Sequence, residues 1–171
     1  VYEGPRGNAD FCNAIEDFVF GVDAPVRKEG RTLSFTAPGG CGALSLGVGL
    51  MRRLGVKKVW VSDPTWPNHP KVVQSAGLTT DSYRYADPDT GTADRAGMLE
   101  DLAKAERGDG VIVQGPCHNP TGIDLTLEDW RVVGAFVKER GLIVMLDVAY
   151  HGFAHGLDKD IAGVRAFIDA A

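Results

Sequence analysis

At 171 residues, with 44% hydrophobic and 24% charged side chains, the chain is one domain's worth of ordinary globular protein, long enough for a real core. A formal net charge of −5 with no basic block argues against a nucleic-acid surface and against a polybasic membrane patch. No apolar run approaches the roughly 20 residues of a spanning helix, and Val1-Tyr2-Glu3-Gly4 has neither the charged nor the apolar region of a signal peptide.

In chain order, Asn8 is a candidate cap for a helix through Phe18, with Phe11, Ile15, Phe18 and Val19 on one face. Cys12, Cys41 and Cys117 are odd in number, widely spaced and form no C-x-x-C, which favours reduced thiols in a cytosolic protein over a disulfide scaffold. Residues 31–36 read as a short strand, and residues 42–54 as a helix with Leu44, Val48 and Met51 at helical spacing. Val59-Trp60-Val61 reads as a buried strand stopped by Asp63-Pro64, followed by a short helix over 69–76 and a strand over 79–85. A helix over 94–106 turns Met98, Leu99 and Leu102 inward, and Val111-Ile112-Val113 is the next buried strand. Thr126 opens a helix to Arg140 that Gly141 stops, with Trp130, Val133 and Val137 at helical spacing. A continuous apolar strand over 142–146 and a final helix over 160–170 complete the pattern. Apolar strands alternating with helices predict an α/β fold, a largely parallel sheet covered by helices on both faces.

In such sheets, ligands bind at the carboxyl ends of the strands. The polar clusters fall there: Gly39-Gly40-Cys41-Gly42, Asp63-Pro64-Thr65-Trp66, Cys117-His118-Asn119-Pro120 and Asp147-Val148-Ala149-Tyr150. The small residues around Gly40 and Cys41 let backbone N–H groups approach an anion at a helix start, or simply form a tight turn. Asp147 closes an apolar strand, either as a helix cap or as the partner of a protonated ring nitrogen. Asn119-Pro120-Thr121-Gly122 is a turn by composition, and its amide could also donate to a ring oxygen. Trp66, between two prolines, either packs over the sheet edge or stacks on a ligand ring, and His69 is either structural or a support for a buried carboxylate. An amide, a carboxylate and a phenol at neighbouring strand ends suit a ring with a basic nitrogen on one edge and an oxygen on another, and pyridoxal phosphate is such a ring. His151 and His155 stand one helical turn apart, but glycines weaken that helix and no H-E-x-x-H glutamate is present, so no metal site is expected.

These residues carry a resemblance. Pro38-Gly39-Gly40-Cys41-Gly42-Ala43-Leu44, Val59-Trp60-Val61-Ser62-Asp63-Pro64-Thr65-Trp66-Pro67-Asn68-His69, Cys117-His118-Asn119-Pro120-Thr121-Gly122 and Asp147-Val148-Ala149-Tyr150-His151-Gly152-Phe153 resemble the class I, fold type I pyridoxal-phosphate aminotransferases, in the aspartate and aromatic amino-acid branch. The resemblance implies that Gly40 and Cys41 meet the cofactor phosphate and that Trp66 stacks on the ring. It implies that Asp147 pairs with the ring nitrogen, supported by His69, and that Asn119 and Tyr150 bond the phenolic oxygen. It implies cis bonds before Pro64 and Pro120, and a homodimer in which Tyr2 reaches the partner's phosphate.

Cys41 departs from the threonine usual in that family and is a poorer donor. The family's Schiff-base lysine lies in a Ser-x-x-Lys stretch, and no serine here has lysine at that spacing. The resemblance therefore implies that residues 1–171 form most of a cofactor-binding large domain, with the lysine segment beyond Ala171 and most of the small domain outside this chain. The expected activity is amino-group transfer between an amino acid, aspartate or aromatic, and a 2-oxo acid such as 2-oxoglutarate, in the cytoplasm. Two other readings stand beside it: a non-catalytic cofactor-binding module, and a lyase or decarboxylase of the same fold.

Overall fold

A computed structural model describes residues 4–171, so Tyr2 lies outside the described residues. The chain divides into two compact units, Val1–Ala43 and Leu44–Ala171.

In the first unit, α1 spans Ala9–Phe20, and Asn8 caps it by accepting from Phe11 N at 2.9 Å. Its inward face is not the expected one. Phe11 and Ile15 are exposed, while Cys12 and Glu16 are buried. The Glu16 carboxylate decides this, because it accepts from Thr32 Oγ at 2.8 Å and Ser34 Oγ at 2.7 Å, with Arg6 and Arg27 at 3.6 and 3.7 Å. Those hydroxyls hold its carboxyl below the usual carboxylate range against the effect of burial, and the two arginines add to them. Residues 31–36, expected to form a strand, join no sheet. Thr32 and Ser34 satisfy Glu16 instead, and Thr36 N donates to Arg6 O. A one-turn helix, α2 at Pro25–Lys28, was not legible in the sequence.

The helix α3, Gly39–Arg53, buries Leu44, Val48 and Met51. After it come β1 (Lys58–Asp63), α4 (Asn68–Ser75), β2 (Thr79–Arg84), a short antiparallel pair β3 (Ala86–Asp87) and β4 (Thr92–Ala93), and α5 (Arg95–Leu102). Then follow β5 (Gly110–Gln114), α6 (Leu127–Arg140), β6 (Ile143–Asp147) and α7 (Leu157–Ala170). The main sheet has the order β2-β1-β5-β6 and is parallel throughout.

Period-two alternation sends successive strand residues to opposite faces. Val59, Val61 and Ile112 join Val48, Met51 and Val73 of α3 and α4 on one face. Trp60, Tyr83, Val111 and Val113 join Met98, Leu102, Trp130, Val133 and Phe167 of α5, α6 and α7 on the other. Burying each such side chain stabilises the fold by roughly 1.5–3 kcal/mol. The central strand β5 is buried along its whole length, whereas every residue of β6, at the sheet edge, is only half-buried despite its apolar sequence.

Local signals end the helices. Asp94 caps α5 through Gly97 N, and α5 stops at Leu102, short of the expected Glu106. Thr126 and Asp129 form a reciprocal capping box on α6, and Gly141 closes it in the left-handed conformation. Gly134 lies so close to α7 that a Cβ there would stand 2.7 Å from Phe167 O.

Candidate active site

The parallel register sets Gln114 and Asp147 side by side at the carboxyl ends of β5 and β6. Asp147 ends an apolar strand, and its Oδ2 meets His69 Nε2 at 2.9 Å. The imidazole comes from α4 and is buried; its Nδ1 meets Thr65 Oγ1 at 2.7 Å. A carboxylate only accepts, so His69 donates to it through Nε2, and Thr65 engages the other ring nitrogen. Asp147 Oδ1 has no hydrogen-bond partner among the described residues. Trp66 is half-buried and stands edge-on to His69, with ring centroids 5.5 Å apart at 88°.

A second group forms beside the first. Asn119 Nδ2 donates to Tyr150 OH at 3.4 Å. Asn119 is fixed through its backbone: its N–H donates to Gln114 Oε1 at 3.1 Å, and its carbonyl accepts from Gln114 Nε2 at 3.0 Å. A backbone N–H can only donate, so this pair settles which end of the Gln114 amide is oxygen. Gln114 Nε2 then donates to His118 Nε2 at 3.0 Å, which leaves the His118 proton on Nδ1, 2.9 Å from Thr121 Oγ1. His118 is stacked on Tyr85 at 3.7 Å, and burial pushes its pKa down to about 4, so it is neutral near pH 7. Asp124 accepts from Cys117 N and His118 N at 2.9 and 3.0 Å and holds Cys117 at φ 63°, an uncommon angle for a non-glycine residue. Burial, with Asp124 and Asp160 nearby, raises the Cys117 thiol pKa. The peptide bonds before Pro64 and Pro120 are cis.

Of the residues singled out in the sequence, His69 and Trp66 thus gather at Asp147, and Asn119 at Tyr150. Gly40 and Cys41 lie exposed in the first turn of α3. Cys12, Cys41 and Cys117 form no disulfide. Among the described residues no three His, Cys, Asp or Glu side chains converge as metal ligands, and no helix is long and apolar enough to cross a membrane.

A family model described as aminotransferase class I and II matches residues 1–171. The chain belongs to this family. This aminotransferase chain is 41% identical over 167 residues to the aspartate aminotransferase of Escherichia coli, covering 97% of the chain and 42% of that protein. It is 39% identical over 166 residues to the aromatic-amino-acid aminotransferase of Paracoccus denitrificans, covering 96% of the chain and 41% of the relative. A crystal structure of the aromatic-amino-acid aminotransferase of Burkholderia pseudomallei, covalently bound to pyridoxal phosphate, superposes with a TM-score of 0.95 at 37% identity, over 99% of this chain and 43% of that one. The chain thus spans about 42% of the length of the curated relatives it matches.

Sequence reading of this aminotransferase missed Thr65, Gln114, His118, Asp124 and Asp160. For Gln114 a signal existed, since a polar residue ending an apolar strand is what marked Asp147. Thr65 and Asp124 sit in irregular loop segments, where such residues are common for local reasons.

Proposed function

We propose that this chain is the cofactor-binding part of a pyridoxal-phosphate aminotransferase that moves amino groups between an amino acid, aspartate or aromatic, and a 2-oxo acid. The observation that carries the reading is the His69–Asp147 contact at 2.9 Å, which anchors one carboxylate oxygen at a strand end and leaves the other without a partner among the described residues. That donor set fits the cofactor. The available Asp147 oxygen accepts from a ring N–H and keeps the ring cationic, with His69 fixing the carboxylate's angle. Tyr150, whose hydroxyl already accepts from Asn119, keeps its own proton to donate to a ring oxygen, and Asn119 adds a second donor. The Trp66 indole covers a ring face. When bound, pyridoxal phosphate supplies an aldehyde that captures the amino group and a ring that takes up the electron pair released at the α-carbon.

Gly40 and Cys41 are assigned to the phosphate by resemblance, with the first turn of α3 contributing N–H groups. The amine that joins the aldehyde is assigned, on the resemblance, to a lysine outside this chain, since no serine here has lysine three residues on. The reading extends to a homodimer, on the resemblance around Tyr2. It extends to the cytoplasm, where a 41% identical rice relative is named; a 40% identical lupin relative is named mitochondrial.

A full-length protein carrying this chain, assayed with aspartate, tyrosine and 2-oxoglutarate, is expected to transfer amino groups. Release of carbon dioxide or ammonia without transfer would favour the lyase or decarboxylase reading. Borohydride reduction of the 171-residue chain with pyridoxal phosphate is expected to label no unique lysine. Stoichiometric labelling of one lysine, with amino transfer, would contradict the assignment of the amine.

A further inference from the structure

Tyr150 sits on the loop over residues 148–156 between β6 and α7 and is 44% exposed. One contact to Asn119 at 3.4 Å is too weak to hold a phenol on such a loop. The loop is held through its backbone. Gly152 N and Ala154 N donate to Asp160 Oδ2 at 2.8 and 3.1 Å, and His155 N donates to Oδ1 at 2.8 Å. The turn behind the phenol closes with Phe153 N on Tyr150 O at 3.2 Å, and His151 Nε2 donates to Leu157 O at 2.9 Å.

Asp160 lies in the first turn of α7 and is buried. An acidic residue there is ordinarily explained by the helix dipole. Here the carboxylate instead reaches back to loop donors, while its own N–H makes a helical bond to Gly156 O at 3.0 Å. Burial opposes its ionisation, yet the three backbone donors and His151 hold its pKa below the usual carboxylate range. Ala154, His155, Lys159 and Asp160 line an open cleft of about 410 Å³ together with Asp124 and Trp130, and Cys117 Sγ meets Tyr150 O at 3.8 Å.

We propose that Asp160 is a positioning residue for Tyr150, its carboxylate gathering the loop N–H groups so that the phenol is presented beside Asn119. The inference rests on the reading above in which Tyr150 meets the cofactor's phenolic oxygen. Replacing Asp160 with asparagine keeps the shape and removes one acceptor oxygen, so at least one loop N–H loses its partner.

The test uses a full-length protein carrying this chain, loaded with pyridoxal phosphate, and follows the bound chromophore's absorbance against pH. Tyr150→Phe removes a donor to the deprotonated form and is expected to raise the titration midpoint by on the order of one pH unit. Asp160→Asn is expected to raise it in the same direction by no more than that, and the double variant to match Tyr150→Phe alone. In the cofactor-free protein, amide exchange over residues 148–156 should accelerate in Asp160→Asn. If Asp160→Asn does not fold, Ala154→Pro deletes one donor, keeps the carboxylate and makes the same comparison. A midpoint shifted by Tyr150→Phe but unmoved by Asp160→Asn, or additive shifts in the double variant, would overturn the role of Asp160. A midpoint unmoved by Tyr150→Phe would overturn the reading of Tyr150 instead.

Discussion

The two edges of the candidate site are built differently. At the carboxylate edge, Asp147 ends a sheet strand and His69 projects from a helix, with the imidazole buried and its two nitrogens engaged at 2.7 and 2.9 Å. At the phenol edge, Asn119 and Tyr150 both ride on loops and meet at 3.4 Å, with Tyr150 exposed. Regular structure fixes the first edge, and backbone hydrogen bonds to Gln114, Asp124 and Asp160 fix the second. The division matches the proposed chemistry. A group that must hold a charge opposite a ring nitrogen gains from rigidity, whereas donors to an oxygen whose protonation changes during turnover can adjust.

The comparison is broken most severely at Asp147. In the full-length protein Asp147→Ala is expected to lower kcat by on the order of a thousandfold, about 4 kcal/mol, with circular dichroism unchanged. Turnover near wild type in a folded variant would remove the carboxylate from the mechanism.

Acid should act next, and on the phenol edge. His118 has a folded-state pKa of about 4, pushed down by burial, below the ordinary value near 6.5. The unfolded chain therefore takes up this proton first. The stability tied to neutral His118 is fully present above pH ~6.5 and is lost as pH falls towards 4, up to about 3 kcal/mol. Denaturant midpoints measured from pH 7 to pH 4 should fall, and substitution of His118 should flatten that fall. An equally steep fall without His118 would place the acid sensitivity elsewhere.

His69→Leu leaves Asp147 without its donor. It is expected to lower kcat roughly 10–100-fold while retaining some activity, less damage than Asp147→Ala. A loss equal to that of Asp147→Ala would mean that His69 does more than orient the carboxylate. Tyr150→Phe is expected to be the mildest, less than about tenfold in kcat, about 1.4 kcal/mol, in keeping with an adjustable donor. A larger loss than from His69→Leu would reverse the ranking of the two edges.

The parts legible in the sequence were those set by local pattern. The apolar strand runs, the Thr126 capping box and the Gly141 stop each stand within a residue or two of their expected places. What failed depends on distant partners. Residues 31–36 alternate like a strand, but the buried Glu16 carboxylate takes up Thr32 and Ser34 as hydrogen-bond donors. Phe11 and Ile15 look inward by period and are exposed, because the same carboxylate turns the helix to its own side. At the site, Asp147, Asn119 and Tyr150 stood out by chemical type. Gln114, His118 and Asp160 did not, because their roles come from backbone groups that the fold brings to them. Tyr2 falls outside the described residues.

The central claim is that the available oxygen of Asp147 faces a protonated ring nitrogen. The direct measurement is the ¹⁵N chemical shift of ¹⁵N-labelled pyridoxal phosphate bound to the full-length protein and to its Asp147→Ala variant at neutral pH. A pyridinium shift in the wild type and a neutral-pyridine shift in Asp147→Ala is the predicted result. The same shift in both proteins, with the cofactor bound in each, would contradict it.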